Sequence, residues 1–177
     1  MKNGSLQKIV VLGPESTGKS SLCQSLALHF DCLWVPEIAR EYLKDIQLNY
    51  TYQDILNIAK LQYQTEQEYQ KRAEALNHKY LFVDTEWITI KIWLEFYNYP
   101  VPNWLIDGII NHDYDLFLLS DIDILWQPDP LRQNKNDRKA LFKRFEDELT
   151  HFGKNFLVIN GLENQRFENS LKKITYK

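Results

Sequence analysis

Eight consecutive residues, Gly13-Pro14-Glu15-Ser16-Thr17-Gly18-Lys19-Ser20, carry the chemistry that this chain states most directly. They fit G-x-x-x-x-G-K-[ST], the pattern of a loop that cradles phosphate. The two glycines let the backbone turn tightly and approach an anion closely. Successive N–H groups can then converge on the α- and β-phosphates. Lys19 would reach the β- and γ-phosphates, and Ser20 would hold Mg²⁺. A helix beginning here adds the partial positive charge of its N-terminus. The expected nucleotide-binding set is Gly13, Glu15, Ser16, Thr17, Gly18, Lys19, Ser20 and Ser21, with ATP and Mg²⁺ as its ligands.

The rest of the chain must place an acceptor beside that loop. Short apolar runs at 8–12, 32–35, 80–83, 116–119 and 156–159 read as buried strands. Helical spacing of apolar residues marks 19–30, 38–46, 54–76, 86–97, 103–110 and 139–152, and Phe167, Leu171 and Ile174 mark a last helix. Strands alternating with helices imply an α/β fold with a parallel sheet and helices on both faces. No repeat, low-complexity tract or linker interrupts it, so one domain over 1–177 is expected.

Ligands of such sheets bind beyond the carboxyl ends of the strands. After the third strand comes Asp84, placed to face Ser20 and Mg²⁺ or to accept an acceptor's proton. After the second come Glu37, Arg40 and Tyr42; a carboxylate suits ribose hydroxyls and an arginine suits phosphate. After the fourth comes a polar segment with Arg132 and Arg138 at its far end, expected to act as a lid over about 121–138 and to neutralise the phosphates. Trp87, one turn after Asp84, is the expected stacking platform for a flat ring. The other aromatics are expected in the core or at an interface between copies of the chain, so a homo-oligomer stays open.

Composition sets limits. The 177 residues carry a net charge of −3, with no basic footprint for nucleic acid or an anionic membrane. No apolar run approaches the ~18 residues of a membrane span. Residues 1–7 are polar, without a signal-peptide apolar region, and a cytoplasmic location is expected. Two cysteines imply free thiols, and four scattered histidines lack zinc-ligand spacing. Asn134-Lys135-Asn136-Asp137 matches the guanine-reading N-K-x-D string but follows no strand, which favours ATP over GTP. Glycines number 6 and aromatics reach 14%.

Taken in order, these pieces resemble the ribosylnicotinamide kinase domain of NadR-type NAD-biosynthesis proteins. The resemblance runs from about Lys8 to Ile174. It rests on the G-x-E-S-x-G-K-S loop, Glu37-x-x-Arg40-x-Tyr42, Gln62-Tyr63, Phe82-Val83-Asp84-Thr85, Trp126 followed by Asp129-x-Leu131-Arg132, and Asp137-Arg138. It implies a P-loop NTPase fold, a five-stranded parallel sheet with a small lid loop. It also implies ATP-dependent phosphorylation of the 5′-hydroxyl of nicotinamide riboside, with Asp84 and Glu37 serving the acceptor ribose and Mg²⁺. Pro130 stands where the family has glycine, and Trp87 where it has Phe. The family's nucleotidyl signature G-x-F-x-P-x-H and its helix-turn-helix have no counterpart here, so neither adenylyl transfer nor operator binding is expected. The rival readings are a P-loop kinase for another nucleoside or nucleotide, and a regulatory ATPase without a small acceptor.

Overall fold

The structure is a computed structural model that describes residues 5–46, 49–131, 136–162 and 164–175. In chain order its elements are β1 (Gln7–Leu12), α1 (Lys19–His29), β2 (Leu33–Val35), α2 (Ile38–Tyr42), α3 (Tyr52–Ala75), β3 (Tyr80–Asp84), α4 (Trp87–Phe96), α5 (Asn103–Asn111), β4 (Leu116–Ser120), α6 (Arg138–His151), β5 (Phe156–Ile159) and α7 (Asn164–Thr175).

The strands form one all-parallel sheet in the order β2-β3-β1-β4-β5. Side chains alternate between its faces, as strand pleating dictates. Ile9, Val11, Tyr80, Phe82, Leu116 and Leu118 face α1 and α7. Val10, Leu12, Leu81, Val83, Phe117 and Leu119 face the layer of α3 to α6. Both faces are therefore covered, which is why the strands read as continuous apolar runs. The register brings the carboxyl ends level: Val11 pairs with Asp84, Leu12 with Leu119, and Ser120 with Ile159. Strand order reverses at β1, with β3 on one side and β4 on the other. The loop after β1 thus opens into the crevice where such sheets bind ligands.

The expected elements are present with small shifts at their ends. The helix expected over 38–46 is shorter. It closes at Tyr42, and the chain turns through Leu43 and Lys44, whose N–H groups bond to Ala39 O and Glu41 O.

Glycine scarcity has a structural counterpart at the helix ends. In α1, α3, α4 and α6 the residues after the helix make the paired 6→1 and 5→2 backbone bonds of a Schellman motif. The left-handed position of that motif is held by Asp31, Asn77, Asn98 and Gly153 in turn. Asp and Asn tolerate this conformation because their short polar side chains bond locally. Three of four such sites therefore need no glycine.

Gly108, by contrast, sits inside α5 for a packing reason. A Cβ there would stand 1.8 Å from the Trp87 indole. Gly108→Ala should gain the ~1 kcal/mol of better helix propensity and lose more to overpacking, typically about 1–3 kcal/mol. The expected net result is a lower denaturation midpoint; a higher one would contradict the packing.

The ring of His112 is stacked with Tyr63 and also contacts Trp87 and Tyr114. Burial, with Lys8 and Lys154 adding to it, pushes its pKa down to about 4 from an ordinary 6.5. The unfolded chain then binds a proton between those values that the folded chain refuses, so stability falls as pH drops from about 6.5 towards 4. His112→Phe keeps a ring in place and should flatten the stability–pH slope in that window, as read by urea melts.

Candidate functional site

The phosphate loop is held open by its own bonds. Gly13 adopts φ 134° and a Cβ there would meet the Ser120 carbonyl at 2.9 Å, so the loop leaves β1 against the end of β4. Gly18 adopts φ 73°, and only glycine takes such angles at no steric cost. Thr17 Oγ1 and Lys19 Nζ each donate to Pro14 O at 2.9 Å, closing the loop around a hollow. Arg138 Nη2 donates to Ser16 O at 3.2 Å and its Nη1 to Ile124 O at 2.9 Å. Arg166 Nη1 donates to Thr17 O at 2.8 Å. Gln127 N–H donates to Ser16 Oγ at 2.9 Å, which pins the segment after β4 to the loop.

This loop forms one wall of a cavity of about 250 Å³. Residues 13–21 line it, together with Glu37 and Arg40. Glu37 is brought there by the turn after β2. Gln62 of α3, 3% exposed, clamps that turn by accepting from Ile38 N–H at 2.9 Å and donating to Pro36 O at 3.2 Å. Arg40 Nη1 bonds Asp129 Oδ2 at 2.9 Å, which ties α2 to the segment after β4. That segment, Asp121 to Leu131, therefore touches both the phosphate loop and α2.

Asp84 lies at the end of β3, 1% exposed, just behind the lining. Burial, and after it the nearby Glu37 carboxylate, push its pKa up to about 6 against the opposing pull of Lys19 and the Ser20 and Thr85 hydroxyls. Asp84 Oδ2 is buried and makes no hydrogen bond. An unpartnered buried carboxylate oxygen beside the P-loop serine and lysine fits Mg²⁺ or a water bound to it. The next residue, Thr85, has φ 73°, an outlier for a β-branched side chain. Its N–H is fixed to Val11 O at 3.1 Å, which holds this strained turn and aims Asp84 at the loop. Glu86 then caps α4, its Oε2 accepting from Ile88 N–H at 2.8 Å, and burial pushes its pKa up to about 8.

The far wall is aromatic. Tyr50, Trp93, Phe96 and Tyr97 line it, with Leu131, Leu141 and Phe145. Trp93 Nε1 donates to Tyr50 Oη at 3.1 Å, and the Tyr50 and Tyr97 hydroxyls share a hydrogen bond of 2.8 Å. The Tyr50 and Trp93 rings meet edge to face. α4 and α6 are fastened to each other behind this wall: Lys91 bonds Glu95 and Glu148 at 2.7 Å each, and Arg144 bonds Glu95 at 2.6 Å and Glu148 at 3.0 Å.

Four expectations change. Trp87 is not on the cavity; its indole N–H donates to Ala59 O at 2.8 Å, and its ring lies among Tyr63, Trp104 and His112. The reason is helical phase. Thr89, Ile92, Trp93 and Phe96 share the cavity face of α4, and residue 87 is turned towards α3 and α5. Trp93, Phe96 and Tyr97, expected in the core or at an interface, line the wall, and Trp93 also packs against the core. Tyr42 is also off the cavity, its hydroxyl donating to Asp54 Oδ1 at 2.9 Å, because α2 turns that side to α3. Arg138 was expected over the phosphates, but its guanidinium holds the loop from outside through the Ser16 and Ile124 carbonyls. Arg132 lies outside the described residues, as do Asn134 and Lys135 of the N-K-x-D string.

Arg166 was missed altogether. It is 149 residues from its partner Thr17 and no local motif marks it. The aromatic wall had a signal, the 89-92-93-96 spacing on one helix face.

A phosphate loop at the reversal point of an all-parallel sheet, with a carboxylate at the neighbouring strand end, defines a P-loop nucleotide-binding α/β domain. The chain belongs to the AAA domain family, whose profile matches residues 8–166. The fold is shared with solved NadR structures. One, in complex with NR, has a TM-score of 0.80 at 19% identity and aligns with 96% of this chain and 49% of its own. Another, in complex with NAD and AMP-PNP, has a TM-score of 0.79 at 18% identity, again over 96% and 49%. The chain thus spans about half the length of those proteins. Thymidylate kinase from Ehrlichia chaffeensis matches with a TM-score of 0.66 at 13% identity, over 96% of this chain and 99% of that one. No match is found among curated proteins. No helix among the described residues is long and apolar enough to cross a membrane.

Trp87→Phe removes a buried hydrogen bond and leaves a void. It should destabilise the fold by about 1–3 kcal/mol. Nucleotide affinity, measured by calorimetry at a temperature where the variant is folded, should stay unchanged.

Proposed function

We propose that this chain is an ATP-dependent kinase that transfers the γ-phosphoryl group to the ribose 5′-hydroxyl of a nucleoside, most specifically nicotinamide riboside. The observation that carries the reading is one continuous cavity joining the phosphate loop, the Glu37 carboxylate and an aromatic wall, with Asp84 buried just behind its lining. A regulatory ATPase needs a carboxylate at Mg²⁺ but would have no use for Glu37 and the aromatic wall.

In this reading Lys19 neutralises the β- and γ-phosphates while the loop amides hold the α- and β-phosphates. Ser20 and Asp84 would hold Mg²⁺, which when bound adds charge neutralisation at the phosphates. Glu37 or Asp84 orients the 5′-hydroxyl for in-line attack and accepts its proton. The 5′-oxygen forms a bond to the γ-phosphorus as the bond to the bridging oxygen of ADP breaks. Arg132 would neutralise charge on the transferred group. Tyr50, Trp93 and Tyr97 offer π-faces to a flat ring, and such faces attract a cationic ring such as a pyridinium. Glu15 and Glu37 on the same cavity add negative charge. The shared fold with NadR solved in complex with NR gives this substrate further support.

Arg40 favours one alternative. It is a cation on the acceptor side, and a phosphate-bearing acceptor would compete with Asp129 for it. The acceptor would then be a nucleoside monophosphate, as the thymidylate kinase likeness suggests.

One assay separates these. Mg–ATP is incubated with nicotinamide riboside, other nucleosides and thymidine monophosphate, and ADP and products are resolved by chromatography. The expected product is nicotinamide mononucleotide. Lys19→Ala should lower turnover by about a hundredfold or more. Trp93→Leu should raise the acceptor KM more than it lowers kcat. ATP hydrolysis without any phosphorylated acceptor would overturn the kinase reading.

A further inference from the structure

Arg166 stands in the first turn of α7, 3% exposed, and its guanidinium makes four contacts that converge from one helix on three other segments. Nη1 donates to Thr17 O at 2.8 Å, Nε to Gly161 O at 3.0 Å, and Nη2 to Asp121 O at 3.2 Å and to Asp123 Oδ1. The other Asp123 oxygen accepts from Gly161 N–H at 2.5 Å. A charge buried this deeply is tolerated only when paired and hydrogen-bonded, and here both conditions hold.

The Thr17 contact has a directional consequence. In a trans peptide the carbonyl and the following N–H point in opposite directions, and no cis bond occurs among the described residues. Fixing Thr17 O outwards on Arg166 therefore turns Gly18 N–H inwards, into the hollow of the phosphate loop. Arg138 does the same one residue earlier, fixing Ser16 O and so turning Thr17 N–H inwards. Two adjacent amide donors are thus aimed by two arginines that stand behind the loop.

We propose that Arg166 is a positioning residue for the donor nucleotide, holding the phosphate loop from behind so that its amides meet the phosphates preorganised. Asp123 completes the device by balancing the charge and fixing the guanidinium plane. A lysine at 166 could keep the charge beside Asp123 but could not reproduce a planar fork across these carbonyls.

The inference rests on the nucleotide-binding part of the proposed function, and the test keeps the two apart. Dissociation constants for Mg–ATP and for Mg–tripolyphosphate, which lacks base and sugar, are measured by calorimetry on the wild type, Arg166→Lys and Arg166→Met, with thermal melts alongside. The expected result is a loss of about tenfold or more in Arg166→Met for both ligands, the scale of one hydrogen bond to a charged group. Arg166→Lys should fall between. If the Met variant fails to fold, the Lys variant carries the comparison. Affinities within about twofold of wild type, with only the melting temperature lowered, would show a brace of the fold alone and overturn the inference. A loss for Mg–ATP but not for Mg–tripolyphosphate would place Arg166 at the base and also overturn it. A wild type that binds neither ligand would instead overturn the nucleotide-binding reading itself.

Discussion

A peptide group has two polar ends, and a loop that presents its N–H ends to an anion must satisfy its C=O ends elsewhere. In residues 14–18 four carbonyls have identifiable partners. Pro14 O accepts from Thr17 Oγ1 and Lys19 Nζ, Ser16 O from Arg138, Thr17 O from Arg166, and Gly18 O from Leu22 N–H in α1. Those partners come from the loop itself, from α6, from α7 and from α1. The helices on both faces of the sheet are therefore anchored to the same few atoms. The level strand ends, set by the β1–β3 and β1–β4 registers, make this convergence geometrically feasible.

The aromatic side of the cavity is organised by a second constraint, the two faces of α4. One face carries Trp87 and Ile90 into the layer of α3 and α5, and the other carries Trp93 and Phe96 to the cavity. α6 closes that cavity with Leu141 and Phe145 while its first residue, Arg138, grips the phosphate loop. The ion network of Lys91, Glu95, Arg144 and Glu148 locks α4 to α6. Because Lys91 and Glu148 are buried, removing one partner would leave an uncompensated charge, so the network enforces this geometry even if its net stabilisation is small.

What was legible in the sequence was what depends on local pattern. The phosphate loop, the five strands and Asp84 at a strand end follow from spacing and apolar periodicity alone. Glu37 and Arg40 reach the cavity as a strand-end argument requires. Features that depend on helical phase or on long-range contact were not legible. Trp87 was assigned by distance along the chain, whereas its direction around α4 decides its partner. Arg138 was assigned by charge, whereas its donors meet carbonyls before any phosphate. Arg166 shows no pattern at all, since its meaning lies in three segments that meet only after folding. The sequence shows that glycine is scarce; the structure shows that Asp31, Asn77 and Asn98 occupy left-handed positions that glycine usually fills.

The division of α4 into two faces separates what the fold requires from what a substrate would meet. Trp87 is wedged against Gly108 and bonded to Ala59, so a change at either partner of that contact costs stability. Phe96, 47% exposed on the cavity stripe, is under no such constraint from the core. A lineage carrying this scaffold can therefore reshape the cavity by drifting along one stripe of a single helix while the opposite stripe is held by the core.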